Sequence, residues 1–229
     1  MKKLVVLTIL MVLFLPLTAQ NGFVIDHTTA DIHEIPQNWI DSAKAKLKIR
    51  YFRRSHGSHI DVGGMAALRR FSSEYAEKYD YNATGSGGAL FLSTIWHSLD
   101  FENETWVQLT REYLDDAANA EINVVMWAWS SNFYLKDVDQ YLIDMEALIA
   151  DYGPNGSKIL NGERNVPVTF IFHTACGQKS LSRNELVFLG NQKIRQHCQE
   201  NDRILFDFND IENYNPDGEY FGDGNADGS

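Results

Sequence analysis

The sequence predicts a three-layer α/β/α sandwich built around a mostly parallel β-sheet. Strand-like and helix-like segments alternate along the chain, which is the pattern that right-handed β-α-β units produce. Two strand-like segments, Ile122–Trp129 and Val166–His173, are almost continuously apolar. Such runs are typical of parallel strands that helices cover on both faces. The alternation and the two apolar runs therefore predict a sheet with a helical layer on each side.

The first nineteen residues have the features of a secretory signal peptide. Lys2 and Lys3 precede an apolar run from Leu4 to Leu17, and Leu17-Thr18-Ala19 provides small residues at a cleavage site. The apolar run is shorter than the ~18 to 20 residues that a membrane-spanning helix needs. We therefore expect residues 1–19 to be removed, leaving a secreted or periplasmic protein without a membrane anchor.

Length and charge limit the remaining possibilities. The 229 residues carry a formal net charge of -11, which disfavours nucleic acid and anionic membrane surfaces as partners. We expect one α/β domain over residues 20–213. Residues 214–229 form an acidic, glycine-rich tail or the start of a further segment.

In the first half of the domain, the elements surround one strand. Helical spacing of apolar residues after Pro36 predicts a helix over Gln37–Leu47. The strand Lys48–Phe52 follows, and a second amphipathic helix is expected over Met65–Tyr79. The segment Tyr81–Gly88 contains a glycine-rich loop.

The second half continues the alternation. Each buried strand is followed by a helix-compatible segment, as the crossover connections of a parallel sheet require. The predicted elements are a helix over Trp106–Ala118, the strand Ile122–Trp129, a helix over Val138–Tyr152, a surface loop over Gly153–Arg164, the strand Val166–His173, a helix over Glu185–Glu200 and the strand Arg203–Phe208.

Ser55 is the first candidate functional residue. It stands where the strand Lys48–Phe52 runs into the turn Ser55-His56-Gly57-Ser58, and α/β proteins place reactive side chains at such strand ends. Ser58 could take the same role in a turn of unknown geometry. Both hydroxyls could instead only satisfy turn amides, because serine is common at such positions.

The order of several sequence blocks resembles the SGNH (GDSL-like) hydrolases, which are secreted esterases with a flavodoxin-like sheet. The resemblance rests on Ser55-His56-Gly57, the Gly87-Gly88 loop, Trp129-Ser130-Ser131-Asn132, and the last helix and strand. It covers Leu47 to Asn213. Ser55-His56-Gly57 replaces the Gly-Asp-Ser block of the family, and Trp129-Ser130-Ser131-Asn132 replaces its Gly-x-Asn-Asp block.

The resemblance implies roles for individual residues. Ser55 would be the nucleophile, and its own N–H, the N–H of Gly88 and the Asn132 side chain would form an oxyanion hole. The family's base is a histidine in an Asp-x-x-His block near the C-terminus, which this sequence lacks. Either the sequence is a fragment that ends in an open polar loop, or His173 supplies the base. We expect an esterase-like hydrolase of small esters such as acetylated carbohydrates.

Two other functions remain open from the sequence. His56, His59 and Asp61 offer two imidazoles and a carboxylate within six residues, which a catalytic transition metal could use. Alternatively, the protein is a non-catalytic module that binds glycan through Trp127 or Trp129.

Two further features do not depend on the catalytic assignment. Asp223, Asn225 and Asp227 match the first half of an EF-hand-type loop and are candidate calcium ligands in the tail, with an acidic, glycine-rich linker as the alternative and no cofactor required. Cys176 and Cys198 could form a disulfide in an oxidising compartment, or remain buried thiols.

Overall fold

The core of the fold is a sheet of seven strands, all parallel. The computed structural model describes residues 22–97, 105–129, 132–215 and 217–220. The strands are β1 (Val24–Ile25), β2 (Lys48–Arg53), β3 (Tyr81–Asn82), β4 (Leu90–Trp96), β5 (Val124–Ala128), β6 (Thr169–His173) and β7 (Ile204–Phe206). Their order across the sheet is β1-β7-β6-β5-β2-β4-β3. The predicted α/β fold with a parallel sheet is therefore confirmed.

The five inner strands have the strand order of a flavodoxin-like sheet. β2 is the first of these five along the chain, β4 pairs with it on one side, and β5, β6 and β7 follow on the other. The chain thus changes direction across the sheet between β2 and β5. In open α/β sheets, such a switch point leaves a crevice outside the carboxyl ends of the strands.

Helices cover both faces of the sheet. They are α1 (Gln37–Lys46), a π-helix (His59–Met65), α2 (Ala66–Phe71), α3 (Ser73–Lys78), α4 (Thr105–Asp115), α5 (Val138–Tyr152), α6 (Ser157–Leu160), α7 (Leu181–Glu200) and α8 (Phe208–Ile211). Side chains of α4, α5 and α7 form the larger core with Phe52, Trp127 and Phe172. On the other face, Tyr51 and Met126 pack with residues of the π-helix.

The alternation of side chains along each strand explains these two cores. Successive side chains of a strand point to opposite faces, so Tyr51 and Phe52 lie in different cores although they are neighbours in sequence. β5 is buried along its whole length, as its continuous apolar run predicts. The side chain of Arg53, the last residue of β2, lies on the same face of the sheet as that of Tyr51. The π-helix covers this face.

Several segments differ from the sequence-based expectation, and the surface loop predicted over Gly153–Arg164 contains the short helix α6. β4 was not predicted, although it is the partner of β2 over six residue pairs. The single helix expected over Met65–Tyr79 is instead a helical segment that begins at His59 and breaks at Ser72. Ser72 has extended backbone angles, and its side chain accepts a hydrogen bond from the Tyr75 amide, which starts α3.

The structure also bears on the membrane question. Among the described residues, no helix combines the length and the apolar character needed to cross a bilayer. The expected signal peptide, residues 1–19, lies outside the described residues.

Candidate functional site

Three of the four residues assigned by the resemblance lie at the carboxyl edge of the sheet. Ser55 is two residues beyond Arg53, which pairs with Ala128 of β5. Asn132 follows β5, and His173 is the last residue of β6, beside Phe206 of β7. Because all strands are parallel, their carboxyl ends meet at one edge.

Gly88 lies at the opposite edge, so its assignment to the oxyanion hole is wrong. It comes two residues before the start of β4, and Lys48, the first residue of β2, pairs with Phe91. The length of β2 therefore separates Gly88 from Ser55, about 16 Å for the five steps from Lys48 to Arg53 alone. The error has a clear cause: the strand that follows the glycine loop was not recognised.

The turn after β2 is held against the sheet at Gly57. The buried Tyr51 hydroxyl donates a hydrogen bond to the Gly57 carbonyl oxygen, at 3.0 Å. A Cβ at position 57 would lie 2.7 Å from the Arg53 Cβ, 2.8 Å from the Tyr51 hydroxyl and 3.0 Å from the Ala128 Cβ. No side chain fits in this space. Glycine therefore allows the backbone to cross over the ends of β2 and β5, and this places Ser55 at the switch point.

The two serines of the turn have different environments. The Ser58 hydroxyl donates to the Ser55 carbonyl oxygen at 2.7 Å, and the Ser58 amide donates to the same atom at 3.1 Å. Ser55 is exposed, and its hydroxyl forms no hydrogen bond with a described residue. Ser58 thus stabilises the turn, whereas the Ser55 hydroxyl is available to a ligand.

Several hydrogen-bond donors of the turn after β2 and of the segment after β5 have no partner among the described residues. Within the described part of the chain, the backbone N–H groups of Ser55, His56 and Gly57 donate to no carbonyl or side chain. The side-chain amide of Asn132 is also free of hydrogen bonds to described residues. Donors of this kind at a strand end can stabilise a developing oxyanion.

An ion pair beneath the turn fixes the start of the π-helix. Arg53 Nε donates to Asp61 Oδ2 at 2.9 Å, and both side chains are largely buried. The Tyr81 hydroxyl donates to the backbone oxygen of Asp61 at 2.9 Å. Asp61 Oδ1 is buried and has no hydrogen-bond partner among the described residues. These contacts join β2, β3 and the π-helix below Ser55.

The same contacts contradict the metal site proposed from His56, His59 and Asp61. Asp61 pairs with Arg53, and the two imidazoles stand at 73° to each other with centroids 5.7 Å apart. Burial and the neighbouring His59 lower the pKa of His56. Within the described residues, the one group of three such side chains close enough to share an ion is Asp26, His27 and Asp210. The three residues of the sequence motif therefore do not converge.

His173 is at the expected strand end but is enclosed. It is 2% exposed, and its Nδ1 donates to the Thr174 carbonyl oxygen at 2.5 Å. Its Nε2 has no partner among the described residues, and the ring packs on Phe206 and Phe208. Burial lowers the pKa of His173 to about 4. The structure therefore does not connect this imidazole to Ser55.

The tryptophans proposed to bind glycan are buried. Trp127 is 0% exposed and Trp129 3%, and both stack within the larger core. They are therefore part of the core, as their place in an apolar run indicates. His97, which sequence reasoning missed, follows β4 and lies 4.5 Å from Trp127, centroid to centroid. Its amide donates to the Arg53 carbonyl oxygen at 3.2 Å, beside the switch point.

The other predictions have separate outcomes. Cys176 and Cys198 are both free and buried, and burial raises the pKa of each thiol to about 12. The predicted calcium ligands Asp223, Asn225 and Asp227 lie outside the described residues.

Comparisons with known proteins do not assign a family. No protein-family model matches the sequence. No curated protein sequence matches it either.

Proposed function

We propose that the protein is an exported serine hydrolase that cleaves small esters through an acyl-enzyme on Ser55. The observation that carries this proposal is the contrast within the turn. Tyr51 and Ser58 use their hydroxyls to hold the backbone, while the Ser55 hydroxyl is exposed and free of hydrogen bonds to described residues. A serine held in this way at a switch point has the position that a nucleophile needs.

The environment of Ser55 supports acyl transfer in particular. Attack of the Ser55 oxygen on an ester carbonyl forms a bond to carbon and places negative charge on the carbonyl oxygen, while the Ser55 hydroxyl gives up its proton, which passes through water to the departing alcohol. The N–H groups of the turn and the Asn132 amide, which have no partner among the described residues, would donate to that oxygen. The helical segment that starts at His59 adds the partial positive charge of its amino end. Collapse of the intermediate releases the alcohol, and water then hydrolyses the acyl-enzyme.

The described contacts place no imidazole in hydrogen-bonding contact with Ser55. His56 and His59 pack on each other, and His173 is enclosed. The proposal therefore concerns the nucleophile and the oxyanion donors. Acetylated carbohydrates are the substrate class that we would test first, since the resemblance to secreted esterases suggests them.

Ester hydrolysis by matched serine variants tests the proposal. Protein expressed from its complete open reading frame is assayed with p-nitrophenyl acetate, p-nitrophenyl butyrate and acetylated xylan. Ser55→Ala should lower kcat on the order of 10³-fold or more, because the nucleophile is lost. Ser58→Ala is the matched control, and it should reduce the rate about tenfold or less, since it removes one hydrogen bond of the turn.

A variant of Asn132 separates chemistry from binding. Asn132→Ala should lower kcat about 10²- to 10³-fold with little change in KM, as expected for a donor that acts on the transition state. Retention of the rate in Ser55→Ala would overturn the proposal. A rise in KM alone in Asn132→Ala would remove Asn132 from the oxyanion hole.

A further inference from the structure

A cavity lined by polar and aromatic side chains lies at the same edge of the sheet, beside the ends of β6 and β7. It has a volume of about 420 Å³, which is within the range of small-molecule sites. α7 forms one wall, and the segment that follows β7 forms the other. Phe208 connects the cavity to the turn after β2. Its ring contacts that of His59, and the next residue, Asn209, lines the cavity.

Both charged side chains that line this cavity, Arg195 and Asp210, have partners that are not part of the lining. Arg195 donates to both carboxylate oxygens of Asp207, at 2.6 and 2.8 Å. Asp210 Oδ1 accepts hydrogen bonds from the amide of His27 at 2.9 Å and from its Nδ1 at 2.5 Å. Because Arg195 is paired with the carboxylate of Asp207, the cavity offers little net attraction to an anion.

The neutral side chains, in contrast, keep hydrogen-bonding groups that have no partner among the described residues, and Asn213 and Asn184 are held by one hydrogen bond each. Asn213 Nδ2 donates to the Asn209 carbonyl oxygen at 2.6 Å, which leaves its Oδ1 as an acceptor. Asn184 Oδ1 accepts from the Gln178 amide at 3.1 Å, which leaves its Nδ2 as a donor. Gln192 is exposed, and its side-chain amide has no hydrogen bond to a described residue. The cavity thus presents both donors and acceptors with little charge.

Two tyrosines complete the wall. The rings of Tyr214 and Tyr220 are 5.3 Å apart at 63°, and Tyr214 also stacks on His27 at 5.1 Å. Their backbones form an antiparallel bridge, and hydrogen bonds between Asn215 and Glu219 close the loop that joins them. The loop therefore holds apolar ring surfaces beside the free amides. Tyrosine provides large apolar faces together with a polar end.

We propose that this cavity binds a neutral saccharide, with a pyranose ring packed on Tyr214 or Tyr220 and its hydroxyls bonded to Asn184, Gln192 and Asn213. A sugar has apolar C–H faces and closely spaced hydroxyls that both donate and accept, so it matches an uncharged set of amides beside aromatic rings. β7 is three strand positions from β2, about 14 Å at the usual strand spacing. The site is thus separate from Ser55 and does not depend on Ser55 chemistry.

Saturation-transfer NMR on the full chain tests this site. The probes are the methyl glycosides of glucose, galactose, mannose and xylose, together with N-acetylglucosamine, and choline and acetate serve as charged comparators. At least one saccharide should bind. Tyr220→Ala and Gln192→Ala should each weaken its binding, by about tenfold for the aromatic ring. Both side chains are exposed, so neither change threatens the fold.

Two controls make the outcome specific. Trp39→Ala removes an exposed aromatic side chain from a different surface and should leave binding unchanged. Ser55→Ala should also leave binding unchanged, which separates this site from the proposed hydrolase chemistry. Absence of binding by every saccharide would overturn the proposal, as would binding of choline or acetate alone. Equal loss in Trp39→Ala, or no loss in Tyr220→Ala and Gln192→Ala, would also overturn it.

Discussion

The turn after β2 and the cavity beside β7 lie on the same edge of the sheet but use their polar groups in different ways. In the turn, Tyr51, Arg53 and Ser58 are bonded to backbone or to Asp61, whereas the Ser55 hydroxyl has no hydrogen bond to a described residue. In the cavity, the charged groups are paired while several amides remain open. A single reactive group in a rigid frame suits chemistry, whereas several open neutral groups suit recognition.

The largest loss of unfolding free energy is expected when the Arg53–Asp61 ion pair below the turn is removed. Asp61→Ala leaves the guanidinium of Arg53 largely buried without its partner, so we expect a loss of about 3 to 5 kcal/mol in unfolding free energy. The rate of ester hydrolysis should fall as well, because the π-helix then loses its attachment below Ser55. Urea denaturation measures the first effect.

The control for that change is an exposed ion pair. Asp139 binds Lys193 at 2.7 Å, but both side chains are at least half exposed, so Asp139→Ala should cost at most about 1 kcal/mol. Similar losses for the two variants would mean that the Arg53–Asp61 pair does not organise the turn.

The second prediction concerns the pH dependence of stability, which should reflect the titration of His173. This residue ends β6, between the turn after β2 and the cavity beside β7. The folded protein keeps this imidazole neutral down to a pKa of about 4, whereas an unperturbed histidine takes up a proton near 6.5. Between these values the unfolded chain binds more protons, so stability falls as the pH is lowered from 7 towards 4. The unfolding free energy lost through protonation of His173 should approach about 3 kcal/mol.

Replacement of His173 tests the assignment. In His173→Leu, the decrease in unfolding free energy between pH 7 and pH 4 should be smaller than in the wild type by about that amount. His33→Gln serves as the control variant because it replaces an exposed histidine outside the core. An unaltered profile in His173→Leu would show that His173 titrates normally in the folded protein.

A smaller loss of stability is expected when Gly57 is replaced. Gly57→Ala inserts a methyl group within 3.0 Å of Arg53, Tyr51 and Ala128, so the turn must move and stability should fall by about 1 to 3 kcal/mol. At Gly63 the nearest atom to an added Cβ is 3.6 Å away, and Gly63→Ala should be neutral or slightly stabilising. Equal stability of the two variants by thermal denaturation would contradict the close approach at Gly57.

Sequence reasoning succeeded where one segment carries its own pattern. The apolar runs that form β5 and β6 identified the parallel sheet, and the turn after β2 placed Ser55 at the carboxyl edge. Leu90–Trp96 also has strand-forming residues, but it was overlooked beside the glycine loop. That omission alone led to the wrong position for Gly88, because a loop before a parallel strand lies at the other edge.

Other features depend on contacts that no local pattern contains. Asp61 follows two histidines in a metal-like spacing, yet the π-helix turns its carboxylate towards Arg53. His173 ends a buried strand, and only the packing of Phe206 and Phe208 shows that it is enclosed. The cavity beside β7 is lined by residues of α7 and by Tyr214 and Tyr220, which come after β7 in the sequence. Only the folded chain brings these residues together.

We propose Ser55 as the nucleophile, and covalent labelling is the direct test of this role. Protein expressed from its complete open reading frame is treated with a fluorophosphonate probe, and the modified peptide is identified by mass spectrometry. We expect a single adduct on Ser55, which disappears in Ser55→Ala and persists in Ser58→Ala. A folded protein that takes no label, or an adduct on Ser58 that survives in Ser55→Ala, would contradict it.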